Sequence, residues 1–256
     1  MKPFFTVIVC TYNRERFLRR ALESIISQSY KDWEVVVVDD GSTDATKALL
    51  DKYKNRYVQL TLVCHDRNRG VSAARNTGIA NANGRFVTFL DSDDEYASSH
   101  LGNRKKVLQQ NPEIQFLHGG LEVVGDPFVV DKDNLEKRIH VDECAVGGTF
   151  FIRRDVFKIV GNFKDLPYAE DAEFYERSLE AGIAVLQTSY PSYRYFRNTQ
   201  NQITTKFANA SPRGPRDGMV RDLILKLRRL WRGLATRTSQ PWQRLNSLLR
   251  REQSPG

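Results

Sequence analysis

The amino-acid sequence predicts an α/β fold in which a Rossmann-like, mostly parallel sheet carries helices on both faces. Between residues 4 and 120, short apolar runs rich in β-branched residues alternate with longer segments of helical periodicity. Strands that are buried on both faces read as continuous apolar runs, and strands that alternate with helices form parallel sheets. Polar residues follow four of the apolar runs, and open parallel sheets bind their ligands at those carboxyl ends.

The elements of this pattern follow one another in a regular order. In the first helix, apolar residues recur three and four positions apart behind Asn13, which is the predicted N-cap. The third helix is predicted to stop at Gly84, and Pro112 ends the fourth. The predicted strands are Phe5–Cys10, Glu34–Val38, Leu60–Val63, Phe86–Leu90 and Ile114–Leu117, and the predicted helices are Arg14–Gln28, Ser42–Lys54, Val71–Asn83 and Leu101–Gln110.

The chain is less regular after residue 118. We predict a strand at 149–152, a short helix from about Asp155, a longer helix after Asp171 that Gly182 ends, and a strand at 184–186. The composition changes at the Pro- and Gly-containing stretch 211–215. This change predicts one domain over residues 1–210, divided into halves 1–120 and 121–210, and a separate tail over residues 211–256.

Charge is distributed unevenly along the chain. The formal net charge is +8, yet residues 205–256 alone hold 12 Lys and Arg against 3 Asp and Glu. The main domain is therefore close to neutral, which argues against nucleic acid as its partner. The three cysteines lie far apart, as expected for reduced thiols. With no run of about 18 apolar residues and no cleavage signal, a cytoplasmic protein is expected.

One apolar run ends in a cluster of acids. Asp91, Asp93, Asp94 and Glu95 directly follow the fourth predicted strand. Carboxylates this close repel one another, so either a cation neutralises them or one of them takes up a proton at a raised pKa. Such oxygen ligands suit Mg²⁺ or Mn²⁺, which bind through one or two carboxylates and substrate phosphates. The alternative is a solvated acidic turn whose aspartates cap a helix.

Two neighbouring loops add further polar groups. Asp39 and Asp40 follow the second strand, where a carboxylate can accept a hydrogen bond from a nucleobase imide or a ribose hydroxyl. The alternative is that Ser42 and Asp44 cap the next helix, and both can hold together because capping uses different atoms. Arg75 could bring a guanidinium to a phosphate at the same edge. For any single arginine, a solvated face is the alternative.

Five motifs stand in order along residues 4–200. They are Val7-Ile-Val-Cys-Thr-Tyr-Asn-Arg14, Val36-Val-Val-Asp-Asp-Gly-Ser42, Gly70-Val-Ser-Ala-Ala-Arg-Asn-Thr-Gly78, Phe89-Leu-Asp-Ser-Asp-Asp94 and Glu170-Asp171. Together they resemble the motifs of glycosyltransferase family 2. The resemblance implies a GT-A fold, a nucleotide-diphospho-sugar donor, a Mn²⁺ or Mg²⁺ ion at the Asp-x-Asp motif, and inversion at the anomeric carbon. Residues 1–120 would then form the nucleotide-sugar half and 121–210 the acceptor half.

The resemblance implies a donor site built from several loops. Asp40 matches the residue that binds the donor base, which favours a UDP-linked sugar by analogy. Asp93 matches the more direct of two metal ligands. The implied donor-binding residues are Thr11, Tyr12, Asp39, Asp40, Arg75, Asp91, Ser92, Arg194 and Arg197, and the implied metal ligands are Asp93 and Asp91.

The resemblance places a catalytic base on a separate element. Asp171 matches the family's base, which takes the proton of the acceptor hydroxyl across the sugar from the metal. Judged from the residues alone, an N-cap of a helix beginning at Ala172 is the alternative. The chain departs from the family's pattern near Phe196, where a His commonly stands. Arg194 and Arg197 are therefore candidates to contact the diphosphate.

The expected reaction is a single transfer to an acceptor hydroxyl, in the synthesis of a cell-surface glycan or glycolipid. The Gln-x-x-Arg-Trp motif of processive synthases is absent from the sequence. The acceptor, a glycan or a lipid-linked glycan, is not readable from the residues. A haloacid-dehalogenase-type phosphatase also uses an Asp-x-Asp motif but has Thr or Val where Glu95 stands. A second alternative is a non-catalytic module that retains the fold to bind a nucleotide or a glycan.

The tail is predicted to be a basic, amphipathic helical extension. Apolar residues between Val220 and Leu234 form one helical stripe opposite several arginines, and a shorter copy follows from Trp242. Such helices can lie on anionic membranes, where each Lys or Arg contributes about 1 kcal/mol. The alternative is packing on the catalytic domain or on a partner protein. The tail is thus a candidate for peripheral attachment to the inner face of the membrane.

Overall fold

The computed structural model describes residues 2–134, 136–166 and 168–197. Within these ranges the chain forms twelve β-strands and six α-helices. The strands are β1 (Phe5–Thr11), β2 (Trp33–Asp39), β3 (Leu60–Cys64), β4 (Phe86–Phe89), β5 (Glu95–Tyr96), β6 (Phe116–His118), β7 (Leu121–Val124), β8 (Phe128–Val130), β9 (Arg138–His140), β10 (Phe151–Arg153), β11 (Val185–Gln187) and β12 (Tyr193–Phe196). The helices are α1 (Glu15–Ile26), α2 (Thr46–Arg56), α3 (Val71–Ala80), α4 (His100–Gln110), α5 (Val156–Val160) and α6 (Glu170–Glu180).

Seven of these strands form a mostly parallel sheet in the order β11-β6-β10-β4-β1-β2-β3. Strand β1 pairs in parallel with β2 and β4, and β2 pairs in parallel with β3. Strand β10 lies between β4 and β6 and is antiparallel to both. A smaller sheet has the order β5-β12-β7, and β8 pairs with β9 as an antiparallel hairpin. The loop after β4 therefore leads directly into the smaller sheet.

Both faces of the large sheet are covered, which explains why its strands are apolar throughout. Successive residues of a strand point to opposite faces. Val35 and Val37 accordingly pack with Leu18 and Leu22 of α1, whereas Val36 and Val38 pack with Ala74 of α3 on the other face. A second cluster on the β4–β10 part of the sheet buries residues of α5 and α6. The predicted α/β class is confirmed.

The sequence predicted the large sheet well and the small strands poorly. Strands β1 to β4, β6, β10 and β11 and all six helices match predicted elements, with ends that differ by a few residues. Strands β5, β7, β8, β9 and β12 were not predicted. They have two to four residues each, and most of their partners lie far along the chain, where no local pattern reports the pairing.

The predicted N-cap of α1 is wrong. Asn13 has a left-handed backbone (φ 51), and its side-chain Oδ1 accepts a hydrogen bond from the Thr43 amide at 2.8 Å, in the loop after β2. The residue before α1 instead forms a hydrogen bond with α2: the Arg14 amide donates to Thr46 Oγ1 at 3.0 Å. The paired strands β1 and β2 end side by side, so the segments that follow them form hydrogen bonds with each other.

Among the described residues, no helix is both long enough and apolar enough to cross a membrane. The predicted tail at 211–256 and the boundary near 211 lie outside the described ranges. The division into a tail and two halves of a main domain therefore stays a prediction.

Candidate active site

Polar loops meet at the carboxyl edge of the large sheet. Thr11 and Asp39, the last residues of β1 and β2, are paired in the sheet register. On the other side of β1, the Leu90 amide donates to the Ile8 carbonyl at 2.9 Å, so the loop after β4 begins beside them. This is the edge at which parallel sheets bind ligands. The structure thus brings the predicted residues of three motifs together.

The adjacent acids after β2 have different surroundings. Both side chains of the pair Asp39 and Asp40 are buried. The Asp40 carboxylate accepts hydrogen bonds from the Arg69 amide at 2.9 Å and the Gly70 amide at 2.8 Å, and it faces His65 Nδ1 at 2.6 Å. Asp40 therefore holds the loop that leads into α3, with its oxygens largely occupied.

Asp39 retains an oxygen for a ligand. Its Oδ1 accepts a hydrogen bond from the Ser42 amide at 3.1 Å, and within the described residues no hydrogen bond reaches Oδ2. The neighbouring Thr11 hydroxyl is buried and makes no hydrogen bond in the described part of the chain. Tyr12, the next residue, is 42% exposed. Buried polar groups normally have partners, so Thr11 and Asp39 together indicate a site for a polar ligand.

The acids after β4 are also divided between two tasks. Asp94 is fully buried, and its carboxyl accepts hydrogen bonds from the Tyr193 hydroxyl at 2.7 Å and the Phe196 amide at 2.8 Å. Burial raises the pKa of Asp94 well above its usual range, and the nearby Asp91 and Asp93 carboxylates raise it further. Asp94 therefore joins the acidic loop to β12 and does not face a ligand.

Asp91 lies where a ligand can reach it. Its side chain is 37% exposed, and Oδ1 lies 3.4 Å from Arg75 Nη2. Burial raises the pKa of Asp91; the Arg75 cation opposes this rise, and the carboxylates of Asp93 and Asp171 add to it. Ser92 and Asp93 are buried in the same loop. Asp91, Asp93 and Asp171 thus share one electrostatic environment.

Arg75 links the acidic loop to helix α6. Its buried guanidinium lies over the contacting rings of Phe89 and Phe163, 5.5 Å from each centroid, and pairs with Glu170 Oε1 at 2.5 Å. Glu170, Asp91 and Asp171 raise the pKa of Arg75, against the opposite effect of burial. A buried cation needs paired anions. Arg75 therefore connects Glu170 and Asp91 through ion pairs with both. These contacts place its guanidinium at the carboxyl edge of the sheet, as predicted.

Glu170 and Asp171 open helix α6, and they too differ. Burial raises the pKa of Glu170 to about 7, an effect that the Arg75 cation partly offsets. Asp171 is only partly buried, and its Oδ2 accepts a hydrogen bond from the Gly147 amide at 2.8 Å. Helix α6 begins at Glu170 behind Ala169 as N-cap, so the alternative interpretation of Asp171 as that N-cap is wrong. Asp171 lies near enough to Arg75 and Asp91 to raise the pKa of both.

The residues present fit a divalent cation only as part of a shared coordination shell. Asp91 and Asp93 offer hard carboxylate oxygens, and no group of three metal-ligating side chains occurs in the described ranges. Mg²⁺ and Mn²⁺ in such sites are held by one or two carboxylates plus phosphate oxygens of the substrate. The donor set is therefore compatible with a metal that binds together with a phosphorylated ligand.

The arginines predicted to contact a diphosphate are engaged elsewhere. Arg194 pairs with Glu95 at 2.7 Å and Glu122 at 3.0 Å. Arg197 donates to the carbonyls of Asp126 at 3.3 Å and Phe128 at 3.2 Å. Both residues stand on or just after β12, and the structure does not bring either guanidinium against the Asp91–Asp93 loop. Their predicted donor contact remains a prediction.

Sequence reasoning missed several residues that shape the site. His65 and Gly147 contact the acids Asp40 and Asp171, and Tyr193 contacts Asp94. Two of them gave a signal: His65 is the first polar residue after the third predicted strand, and Gly147 is the first of a glycine pair, where a side chain would meet Asp171 Cβ at 3.0 Å and Arg75 Nη1 at 3.1 Å. The other contacts join residues far apart in sequence, which no local pattern reports.

The sheet order and the acids along its carboxyl edge define the class, which is the GT-A fold. The sequence profile of Glycosyl transferase family 2 matches residues 6–159, more than half of the chain. The protein belongs to this family, as the five motifs indicated.

Relatives in other organisms carry related names. GlyA of Streptococcus pneumoniae, a glycosyltransferase, is 44% identical over 110 residues, which are 43% of this chain and 16% of GlyA. The glycosyltransferase AglE of Haloferax volcanii is 30% identical over 197 residues, covering 72% of this chain and 64% of AglE. WfgD of Escherichia coli, a UDP-Glc:alpha-D-GlcNAc-diphosphoundecaprenol beta-1,3-glucosyltransferase, is 29% identical over 146 residues and covers 56% of each chain. This chain thus spans less than two thirds of each of these relatives.

Solved structures share the fold. TarS of S. aureus, in complex with UDP-GlcNAc, superposes with a TM-score of 0.67 at 23% identity, covering 87% of this chain and 65% of the TarS chain. The mannosyltransferase PcManGT of Pyrobaculum calidifontis, in complex with GDP-Man and Mn²⁺, gives a TM-score of 0.62 at 22% identity, and the match covers 97% of this chain and 79% of the PcManGT chain. At these identities the likeness concerns the fold alone.

Proposed function

We propose that the protein is a metal-dependent, inverting glycosyltransferase that moves one sugar from a UDP-linked donor to an acceptor hydroxyl. One observation carries this proposal. One buried cation, Arg75, joins the loop of Asp91 and Asp93 to the start of α6, where Asp171 directly follows Glu170, the partner of Arg75. Such an arrangement separates a pair of metal ligands from a base, as transfer with inversion requires.

The nucleoside is assigned to the pocket after β1 and β2. Asp39 Oδ2 and the buried Thr11 hydroxyl have no partner within the described residues, so both can receive a polar ligand. We assign the contact with the nucleobase to Asp39. Asp40 has an indirect role, because it holds the loop that contains Arg69. Support for UDP comes from the names of two similar proteins, WfgD and TarS with UDP-GlcNAc.

The metal is assigned to Asp91 and Asp93. When bound, Mn²⁺ or Mg²⁺ offsets the negative charge that develops on the leaving diphosphate. The protein's part is to hold the two carboxylates at the edge of the sheet, and Arg75 keeps Asp91 oriented through their contact at 3.4 Å. Support for Mn²⁺ comes from PcManGT, whose complex contains this ion.

The role of catalytic base is assigned to Asp171. Its neighbour Glu170 is buried and paired with Arg75, so it is poorly placed to exchange protons with an acceptor. Asp171 is partly exposed, and its Oδ2 accepts a hydrogen bond from the Gly147 amide at 2.8 Å. In this assignment Asp171 takes the proton of the acceptor hydroxyl while the diphosphate leaves on the opposite side.

The biological setting is inferred from relatives. TuaG of Bacillus subtilis is named for teichuronic acid biosynthesis, and WfgD is named for an acceptor on diphosphoundecaprenol. We infer that this protein extends a cell-surface glycan or glycolipid by a single sugar. The inner face of the membrane, reached through the basic tail, is the proposed place of action.

Calorimetric titration of UDP in the presence and absence of MnCl₂ tests the proposal. The wild-type protein is expected to bind UDP more tightly with Mn²⁺, and Asp93→Ala should lose most of this gain. The exposed acid Asp142, whose side chain is 71% exposed, provides the control variant Asp142→Ala. Equal UDP affinity with and without Mn²⁺ in the wild type would reject the metal assignment. Binding without any sugar transfer or donor hydrolysis would favour the non-catalytic module.

A further inference from the structure

The acidic loop after β4 is held on one side by the smaller sheet. Asp94 receives hydrogen bonds from the Tyr193 hydroxyl and the Phe196 amide, and Glu95 pairs with Arg194. All three partners belong to β12. These contacts hold the loop at and beyond Asp94.

Arg20 of α1 also reaches this loop. Its Nη2 donates a hydrogen bond to the backbone carbonyl of Asp93. The same guanidinium lies 3.6 Å from the centroid of the Phe196 ring, and its Nε is 3.7 Å from Glu95 Oε2. One side chain on the first helix therefore contacts the metal motif, the acid that follows it and the end of β12.

The planar guanidinium suits this position. It can donate hydrogen bonds in its plane while its face stacks on an aromatic ring, which an ammonium group cannot do with the same geometry. The backbone carbonyl carbon of Asp93 and the Cβ atom that carries its carboxylate are bonded to the same Cα atom. Holding the carbonyl therefore restricts the directions in which the carboxylate can point.

The positive charge of Arg20, considered alone, would weaken metal binding. A cation close to a metal site repels the metal, so removing Arg20 would strengthen metal binding if Coulomb repulsion dominated. Glu95 lies close enough to offset much of this repulsion, and the Arg20 side chain is 36% exposed, so water screens it as well. Ordering of the loop should therefore outweigh repulsion.

We propose that Arg20 is a positioning residue for the metal site: it holds the Asp93 backbone and the Phe196 ring so that the Asp93 carboxylate points at the cation. This inference rests on the proposed function. Residues that orient metal ligands typically contribute 10- to 100-fold in metal affinity. Arg20 touches neither substrate nor metal in this assignment and acts through Asp93.

The test measures UDP binding over a range of MnCl₂ concentrations for four proteins. Arg20→Ala and Arg20→Lys are both expected to raise the Mn²⁺ concentration for half-maximal UDP binding about tenfold. UDP affinity without Mn²⁺ should stay within about twofold of the wild type. Arg19→Ala is the matched control, because Arg19 is the neighbour of Arg20 on α1, is 65% exposed and makes one ion pair within the described residues, with Glu23 at 4.0 Å.

The outcomes separate the possible explanations. Wild-type behaviour of Arg20→Lys would mean that charge suffices, and unchanged or tighter Mn²⁺ binding by Arg20→Ala would refute positioning. If the wild type itself shows no Mn²⁺ dependence, the proposed function fails and this inference falls with it.

A second variant covers the case in which Arg20→Ala does not fold. Phe196→Leu removes the ring face beneath the guanidinium and should also raise the Mn²⁺ requirement. Where both variants fold, their effects should be less than additive in a double-mutant cycle, because they disrupt one contact. Full additivity would show that Arg20 and Phe196 act separately and would contradict the proposal.

Discussion

At the scale of single residues, neighbouring acids take different roles. Asp40 and Glu170 are buried and bonded to protein donors, whereas their neighbours Asp39 and Asp171 each keep an oxygen or an exposed face for a ligand. The acids after β4 divide in the same way, since Asp94 is tied to β12. In each case one carboxylate is held by contacts with distant parts of the protein, and the adjacent one is left as the candidate for a ligand.

Asp171→Asn tests the assignment of the base. The variant should lower kcat by about 10² to 10⁴, the contribution typical of a general base, because the amide cannot take the acceptor proton. UDP binding with Mn²⁺, measured by calorimetry, should remain as in the wild type. Asp142→Asn, in the neighbouring turn, is the control. Loss of UDP binding or of thermal stability in Asp171→Asn alone would point to a structural role.

His118 predicts a pH dependence of stability. Burial, helped by the Arg104 cation, lowers its pKa to about 4, below the value near 6.5 of an unfolded chain. The unfolded state therefore binds more protons than the folded state below pH 6.5. The contribution of neutral His118 to the free energy of unfolding is complete above pH 6.5 and is lost as the pH falls towards 4. Between pH 7.5 and 5 the loss is roughly 2 kcal/mol.

Urea unfolding at several pH values checks this expectation. His118→Gln should flatten the fall in the free energy of unfolding between pH 7.5 and 5, because the variant removes the titrating group. His140→Gln, on strand β9, is the matched control for loss of a histidine, because the His140 side chain is 37% exposed. The same change of slope in both variants would contradict the prediction.

At the scale of elements, the close approach of α3 to β1 depends on a glycine. A Cβ atom at Gly78, inside α3, would lie 2.4 Å from Cγ2 of the buried Ile8 on β1. Gly102 is also helical, in α4, but its nearest neighbours would lie 3.8 Å from a Cβ atom. The two glycines therefore have different reasons to be present, although both interrupt a helical pattern.

Gly78→Ala and Gly102→Ala form a matched pair. The first should destabilise the fold by about 1 to 3 kcal/mol, because Ile8 and its strand must shift to make room. The second should be neutral or stabilise it by up to about 1 kcal/mol, because alanine favours helix without a clash. Denaturant unfolding measures both. If Gly78→Ala is as stable as Gly102→Ala, the packing of α3 on β1 is looser than described.

At the scale of the molecule, one reversed strand positions Asp171, the proposed catalytic base. Strand β10 runs antiparallel to β4, so it begins near the carboxyl end of β4, and Phe151 is paired with Thr88. The turn just before β10 contains Gly147, whose amide binds Asp171. An all-parallel order would put that turn at the opposite edge. The exception to the parallel pattern therefore brings α6 to the metal motif.

The basic tail leads to a prediction for the whole chain. Removing residues 219–256 deletes both amphipathic repeats of the sequence and most of its surplus positive charge. The shortened protein should no longer sediment with liposomes that contain anionic lipid, yet it should still hydrolyse the donor sugar. Liposomes of neutral lipid are the control. Unchanged sedimentation with anionic liposomes would reject the membrane role and favour packing against a protein.

The sequence by itself determined the fold class, the family and the loops that carry the acids. These features are local: periodicity reports a strand or a helix within about ten residues, and the motifs report which loops follow β2 and β4. Asp91, Asp93 and Asp171 are therefore recognisable as candidate site residues from their motifs alone.

Only the tertiary structure decided which acid of each group is left for a ligand. The donors that occupy Asp40, Asp94 and Glu170 come from His65, Tyr193 and Arg75, which lie 25, 99 and 95 residues away along the chain. A hydrogen bond depends on distance in space, and adjacent aspartates look alike in a sequence. Packing of distant segments, and not the motif, separates structural carboxylates from those that can bind.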